Sequence, residues 1–312
     1  MATGTPAEGS TVSGAAPDTG LMGANRYGKD GIRLVLVRRR PEGHEVRDLT
    51  VDVRLEGDFA RVHTVGDNAA VLPTDTMRAT AYALAPEHLT GSIETFGLVL
   101  AHRFLGASPA TSRATVWLAE HGWTPHAPAA FVGAGDERRT AEVSVSRDGD
   151  VAVTSGLAEL TVLKTEGSAF SGFLVDEYTV LAETEDRLLA TKVTARWTYR
   201  ESPEDTDHDA CHAAARQAML DAFAGHRSAS VQHTLYVMGR AVLDAVPAAA
   251  EVSFSLPNLH HVPADLSASG LTNELASGHA VFVATDRPYG VIEGTVTRSG
   301  TDGPPPDDPP PG

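Results

Sequence analysis

Several stretches of the chain place side chains where chemistry could use them. His208 and His212 stand four apart on a predicted helix, which would present two imidazoles on one face to a metal. Only Asp209 and Cys211 lie near them in sequence, no third ligand is evident, and a solvated helix face is the simpler reading. Pro257-Asn258-Leu259-His260-His261 ends a predicted strand, Val252 to Leu256, where polar residues are well placed for a site. Taken alone it reads as a surface turn. Thr74-Asp75-Thr76, after Val71-Leu72-Pro73, reads as a helix N-cap. Lys29, after Tyr27-Gly28, reads as an exposed lysine, and Arg187 and Gln232 are unremarkable singly. Familiar signatures are missing: there is no G-x-x-x-x-G-K-[ST], no H-E-x-x-H and no G-x-S-x-G. Gly133-Ala134-Gly135 lacks the third glycine of a dinucleotide loop and reads as a turn.

The elements that must position these residues show in the hydrophobic periodicity. Leu49 to Leu55 alternates apolar and polar, as a half-buried strand does, and Ile32 to Val37 is an apolar strand-like run before it. Glu142 to Val145 and Val151 to Val153 flank Arg147-Asp148-Gly149-Asp150, a hairpin signal. Val193, Ala195, Trp197 and Tyr199 share one face of a further strand. Val281 to Val283 and Val291 to Val296 suggest a last hairpin, turned near Pro288-Tyr289-Gly290. Ile93, Phe96, Leu100 and Phe104 form one helical stripe. Cys211, Ala215, Met219 and Phe223 form another, with a cap at Thr206 or Asp207 and a stop at Gly225. Each half reads strand, strand, helices, strand, strand. Thr80-Ala81-Tyr82 and Thr234-Leu235-Tyr236 echo each other across the halves. Hairpins with helices on one face give an α+β fold whose sheet edges call for pairing.

Composition narrows the functional class. The 312 residues are 42% hydrophobic and 21% charged, ordinary for a globular chain. No run approaches 18 apolar residues, so no membrane span is expected. A formal net charge of −16 disfavours nucleic acid as a partner. One cysteine, Cys211, permits no internal disulfide and no Cys-rich zinc site, which fits a reducing compartment. Residues 1–22 lack the features of a secretory or transit signal and read as a disordered leader. Residues 300–312, of Gly, Pro, Asp and Thr, read as a disordered tail. The ordered part divides into a first repeat, 23–155, and a second, 156–299.

Read together, these segments resemble urate oxidase (uricase) of the bacterial type. The resemblance runs through Asn25-Arg26-Tyr27-Gly28-Lys29, Gly66-Asp67-Asn68 and Pro73-Thr74-Asp75-Thr76. It continues through Leu163-Lys164-Thr165, Ser168-Ala169-Phe170, Gly172-Phe173 and Asp176-Glu177-Tyr178-Thr179. Asp186-Arg187, Val231-Gln232, Tyr236 and Pro257-Asn258-Leu259-His260 complete an ordered set spanning nearly the whole ordered chain. Arg78-Ala79 and Glu166 depart from the common pattern, but at positions that carry no role.

The resemblance implies the tunnelling fold (T-fold): two tandem repeats, each a four-stranded antiparallel sheet with helices on one face. It also implies a homotetramer with active sites at subunit interfaces. The implied reaction takes urate, O2 and water to 5-hydroxyisourate and H2O2 with no metal or organic cofactor. Arg187 and Gln232 match the pair that grips the purine, and Phe170 matches the ring that stacks on it. Leu181 and Val231 match lining positions, Val231 through its backbone N–H. Lys29, Thr74 and His260 match a proton relay in which a desolvated lysine acts as base. Asn258, with Thr74, matches the position that holds O2 and then water. Thr74 and Asp75 are expected from a neighbouring subunit, reaching Lys29 and His260 of the first, with Asp75 contacting the purine through its backbone N–H. The chain ends without Ser-Lys-Leu, and a bacterial cytoplasmic location is expected. Two other readings stay open at this point: a related purine or pterin enzyme that uses a metal, and a non-catalytic purine-binding protein.

Overall fold

The computed structural model describes residues 20–200, 203–274, 278–285 and 287–298. The predicted tail, and all of the leader before residue 20, lie outside these residues. Strands β1 (Arg26–Arg38) and β2 (Glu45–Gly57) open the chain as an antiparallel pair. In β2, Leu49, Val51, Val53 and Leu55 are fully buried, while Thr50, Asp52 and Arg54 alternate to the opposite face. Helices α1 (Ala60–Val65), α2 (Thr74–His88) and α3 (Ile93–Ala107) follow, and α2 and α3 supply core residues. The stripe Ile93, Phe96, Leu100 and Phe104 has no exposed surface. Ser92 caps α3 by accepting the Thr95 N–H at 3.1 Å.

The long strands β3 (Thr111–Ala127) and β4 (Ala130–Ser146) complete the first half. The predicted turn at 147–150 leads to β5 (Val151–Lys164), with Val145 opposite Val151. Then come β6 (Leu189–Tyr199), α4 (His208–Gly225), α5 (Val231–Ala245) and β7 (Ala249–Leu259). Short strands β8 (His261–Pro263) and β9 (Phe282–Ala284) pair with each other, and β10 (Val291–Thr297) closes the order. One antiparallel sheet runs β1-β2-β3-β4-β5-β6-β7-β10, so β1 and β10 are its edges.

The apolar core lies in two clusters. One runs from Ile32 to Val153, and the other from Leu157 to Val296. Where they adjoin, the contacts turn polar. Glu94 of α3 is fully buried and accepts from Arg139 of β4, which also reaches Asp209 in the first turn of α4. Ser155 donates to Glu94 and lies 2.7 Å from the Tyr199 hydroxyl, which accepts the Trp197 indole N–H at 3.1 Å. Burial pushes the Tyr199 phenol up to about 12. A buried carboxylate persists here because a guanidinium and a hydroxyl satisfy it.

Three expectations need correction. The two C-terminal runs do not form a hairpin: β9 pairs with β8, and β10 pairs with β7. Thr74 does not cap α2. Pro73 holds the cap position with no side-chain bond, and Thr74 is the first helical residue. His208 and His212 do not lie on a solvated face. His208 is buried against Tyr199, ring centroids 5.0 Å apart, and His212 lies 6.0 Å from Trp197. The same helix face carries Ala215, Met219 and Phe223 into the core, so the histidines are carried inward with it.

Candidate active site

The second half holds a cleft of about 810 Å³, lined among others by Phe170, Leu181, Arg187, Asn258 and His260. Its walls come from connections as much as from strands. Phe170 and Thr184 exchange backbone hydrogen bonds of 2.7 and 3.0 Å, and the Arg187 N–H donates to the Ser168 carbonyl at 2.9 Å. Asn258 sits near the end of β7 opposite Thr191, its N–H donating to the Gly290 carbonyl at 2.8 Å. His260 occupies the break between β7 and β8. Its carbonyl accepts the Thr285 N–H at 2.9 Å, which anchors the backbone where His260 lines the cleft.

Arg187 sets the electrostatics. Its guanidinium lies 5.1 Å from the centroid of the Phe170 ring, and its Nε is buried without a hydrogen bond. Burial pulls its proton affinity below the usual guanidinium value, and no carboxylate pairs with it among the described residues. A half-buried cation without a counter-charge is a ready acceptor for an anionic ligand. Phe173 stacks on Phe170 at 5.0 Å, delivered by the turn at Gly172, whose φ of 69° is glycine's province.

Val231 and Gln232 begin α5. Ser230 caps it by accepting the His233 N–H at 3.1 Å, and the N–H groups of Val231 and Gln232 have no partner among the described residues. The Val231 side chain is buried and Gln232 is exposed. Neither lines the cleft within one chain, but backbone bonds between 167–169 and Ser228 tie the start of α5 to the Phe170 segment.

Lys29, Thr74 and Asp75 lie in the other half. Lys29 is opposite Val53 in β1, on the same face as Tyr27, whose hydroxyl accepts the Leu72 N–H at 2.8 Å. That bond draws the start of α2 toward β1. The Thr74 hydroxyl makes no hydrogen bond among the described residues, and exposed Asp75 pairs with Arg78 at 2.7 Å. From β1 to β7 is six strand steps, on the order of 29 Å along the sheet. One chain therefore does not bring Lys29 and Thr74 to Arg187 and His260. The expectation of a Lys29 beside His260 in one chain does not fit this sheet order, which sets the two at strands six steps apart. Sequence reasoning quoted Ser168 and Phe173 within matching stretches but gave them no role, and it passed over the buried Ser228. Gly172, the turn residue before Phe173, was the signal for Phe173; nothing in the local sequence marked Ser228.

Among the described residues, no three His, Cys, Asp or Glu side chains converge on a possible metal position. No helix among them is long and apolar enough to cross a membrane.

A duplicated antiparallel unit with all its helices on one face, and in its second half an aromatic-floored cleft around the guanidinium of Arg187, defines a tandem tunnelling-fold protein. The uricase family model matches residues 25–144 and 153–293. A uricase of Arthrobacter globiformis is 41% identical over 90% of this chain and 91% of its own length. A uricase of Dictyostelium discoideum is 36% identical over 88% of this chain and 96% of its own. The crystal structure of the Arthrobacter globiformis uricase superposes with a TM-score of 0.85 at 41% identity, covering 92% of this chain and 98% of that one. The chain belongs to the uricase family.

Proposed function

We propose that the chain is a urate oxidase, converting urate, O2 and water to 5-hydroxyisourate and hydrogen peroxide at sites completed by a second copy of itself within a homotetramer. The observation that carries this reading, beside family membership, is Arg187: a half-buried, unpaired guanidinium over an aromatic ring, in a cleft roomy enough for a purine. Urate is flat, anionic and rich in carbonyls. A guanidinium offers it paired donors, and the Gln232 amide offers a donor and an acceptor side by side. Phe170 supplies the stacking face, Leu181 an apolar wall, and the open N–H of Val231 a backbone donor.

The oxidation needs an electron-rich urate, so a proton must leave first. Lys29 takes that role as base, and Thr74 passes the proton. His260 exchanges protons with them through water, and Asn258 with Thr74 holds O2 and then the attacking water. Asp75 adds a backbone N–H from the start of α2. Two electrons leave urate and enter O2, giving peroxide. Water supplies the new hydroxyl, and the balance calls for no redox cofactor.

The assembly half of the proposal has its own support. Lys29 and Thr74 lie at the opposite side of the sheet from the cleft. Among the described residues neither edge strand has an outer partner in the sheet, and Leu174, Val175, Tyr178, Val180 and Leu181 are strongly exposed near the cleft. The division into repeats 23–155 and 156–299 is supported by the two core clusters, which part between Val153 and Leu157. A cytoplasmic location belongs to the same reading, supported by the single cysteine.

The test follows urate absorbance and oxygen uptake with purified, chelator-treated protein. Urate loss matched by oxygen uptake is expected; no urate loss refutes the assignment.

A further inference from the structure

We infer that Lys164, His226 and Thr234 are positioning residues for the substrate grip, locking the start of α5 to the segment that carries Phe170 and Arg187. Lys164, the last residue of β5, donates from its ammonium to the His226 carbonyl. The His226 ring bridges the Ala222 carbonyl at 2.6 Å and the Thr234 hydroxyl at 3.1 Å. Thr234, one turn into α5 and 1% exposed, also has its hydroxyl 2.8 Å from the Ser228 hydroxyl and 3.1 Å from the Ser230 carbonyl.

Ser228 passes this hold to the cleft. Fully buried, it donates its N–H to the Gly167 carbonyl at 2.8 Å and accepts the Ala169 N–H at 2.7 Å. The intervening Ser168 carbonyl accepts the Arg187 N–H at 2.9 Å, and the Phe170 N–H donates to Thr184 at 2.7 Å. Residues 167–170 are thus clasped on one side by the α4–α5 connection and on the other by the chain entering β6. Phe170, Arg187 and Gln232 come from three separate segments and share this one frame.

Apolar residues of similar volume would pack such a place without directional constraint, whereas a satisfied polar cluster fixes one geometry. Displacement of a gripping group by about 1 Å is enough to weaken a contact that depends on paired hydrogen bonds. The proposed base and relay, Lys29, Thr74 and His260, hang from other elements. Loosening the frame therefore acts on urate binding more than on turnover.

The inference rests on the reading of Arg187 and Gln232 as the grip, and the experiment separates the two. Full-length Thr234→Val, Thr234→Ser, Lys164→Met and Gln232→Ala are compared in steady-state urate oxidation. Thr234→Val and Lys164→Met should each raise KM for urate about tenfold with kcat within about twofold, and Thr234→Ser should hold KM within about twofold of the parent. Gln232→Ala should raise KM as well. Unchanged KM in Thr234→Val and Lys164→Met, beside a raised KM in Gln232→Ala, overturns the positioning role alone. A fall in kcat as large as the rise in KM also overturns it. Unchanged KM in Gln232→Ala removes the grip reading and this inference with it. Lys164 is only partly buried, so Lys164→Met decides the matter where Thr234→Val does not fold.

Discussion

Two inactive variants of this chain should make one active enzyme. Lys29→Ala removes the proposed base from the first half, and Arg187→Ala removes the grip from the second. The sheet order separates the strand of Lys29 from the strand that Arg187 leads into by five steps, roughly 24 Å along one chain, so in the proposed assembly a complete site takes its halves from two copies. In a randomly assembled equal mixture, the copy supplying the first half is intact at about half the sites, and so is the copy supplying the second. About a quarter of the parent activity per site should therefore return. The variants are unfolded together and refolded, or co-expressed, and urate loss is followed by absorbance. Lys29→Ala mixed with Thr74→Ala provides the control, because both residues lie in the first half and no pairing restores them. Recovery in that control, or none beyond the sum of the parents in the Lys29 and Arg187 mixture, would refute the split-site reasoning.

Three further outcomes are expected. Lys29→Ala should lower kcat by on the order of 100-fold while urate binding changes little; an equal loss of both, read by turnover against equilibrium binding, would make Lys29 a binding residue. Burial, with Arg139 and other charges beside it, holds the His212 imidazole down at about 4. Unfolded His212 protonates near 6.5 and folded His212 does not, so stability is full above about pH 6.5 and falls as pH drops toward 4, by about 2 kcal/mol at pH 5 from this site. Urea denaturation at fixed protein concentration should show that slope reduced in His212→Leu; a variant as acid-sensitive as the parent contradicts it. Gly97→Ala would set a methyl 2.8 Å from the side chains of both Leu118 and Val143, and should cost about 1–3 kcal/mol by overpacking. An unshifted melting temperature would count against that packing.

The sequence made legible what burial alone dictates. The alternation through β2 and β6, the two helical stripes and the Asp207 cap, which accepts the Ala210 N–H at 3.0 Å, all express a choice between core and solvent made residue by residue. Partner choice was not legible. A three-residue run such as Phe282–Ala284 pairs with whatever backbone reaches it, and here that is His261–Pro263. Strand β3 was missed because its second half, with Gly122, Trp123 and Pro125, extends beyond the buried part of the sheet and loses the alternation. Thr74 looked like a cap because Ser, Thr and Asp before an apolar period usually are; Pro73 took that place and left the hydroxyl unused by the helix. The candidate site residues could be named from the ordered family pattern and assigned to a repeat by their numbers, but how far apart the two groups lie could not be read, because that distance is set by the sheet order.

The two clusters of the core, joined by one continuous sheet and a polar seam, have a consequence for how such a chain can change. A protein made of single repeats would have to carry base and grip in the same sequence, so that each alteration to one appeared beside the other. With both repeats in one polypeptide, the strand bearing Lys29 and the cleft bearing Arg187 are inherited together yet vary separately. A change that reshapes the cleft around Arg187 leaves the strand of Lys29 untouched, while His260 keeps one member of the proposed relay on the cleft's own side.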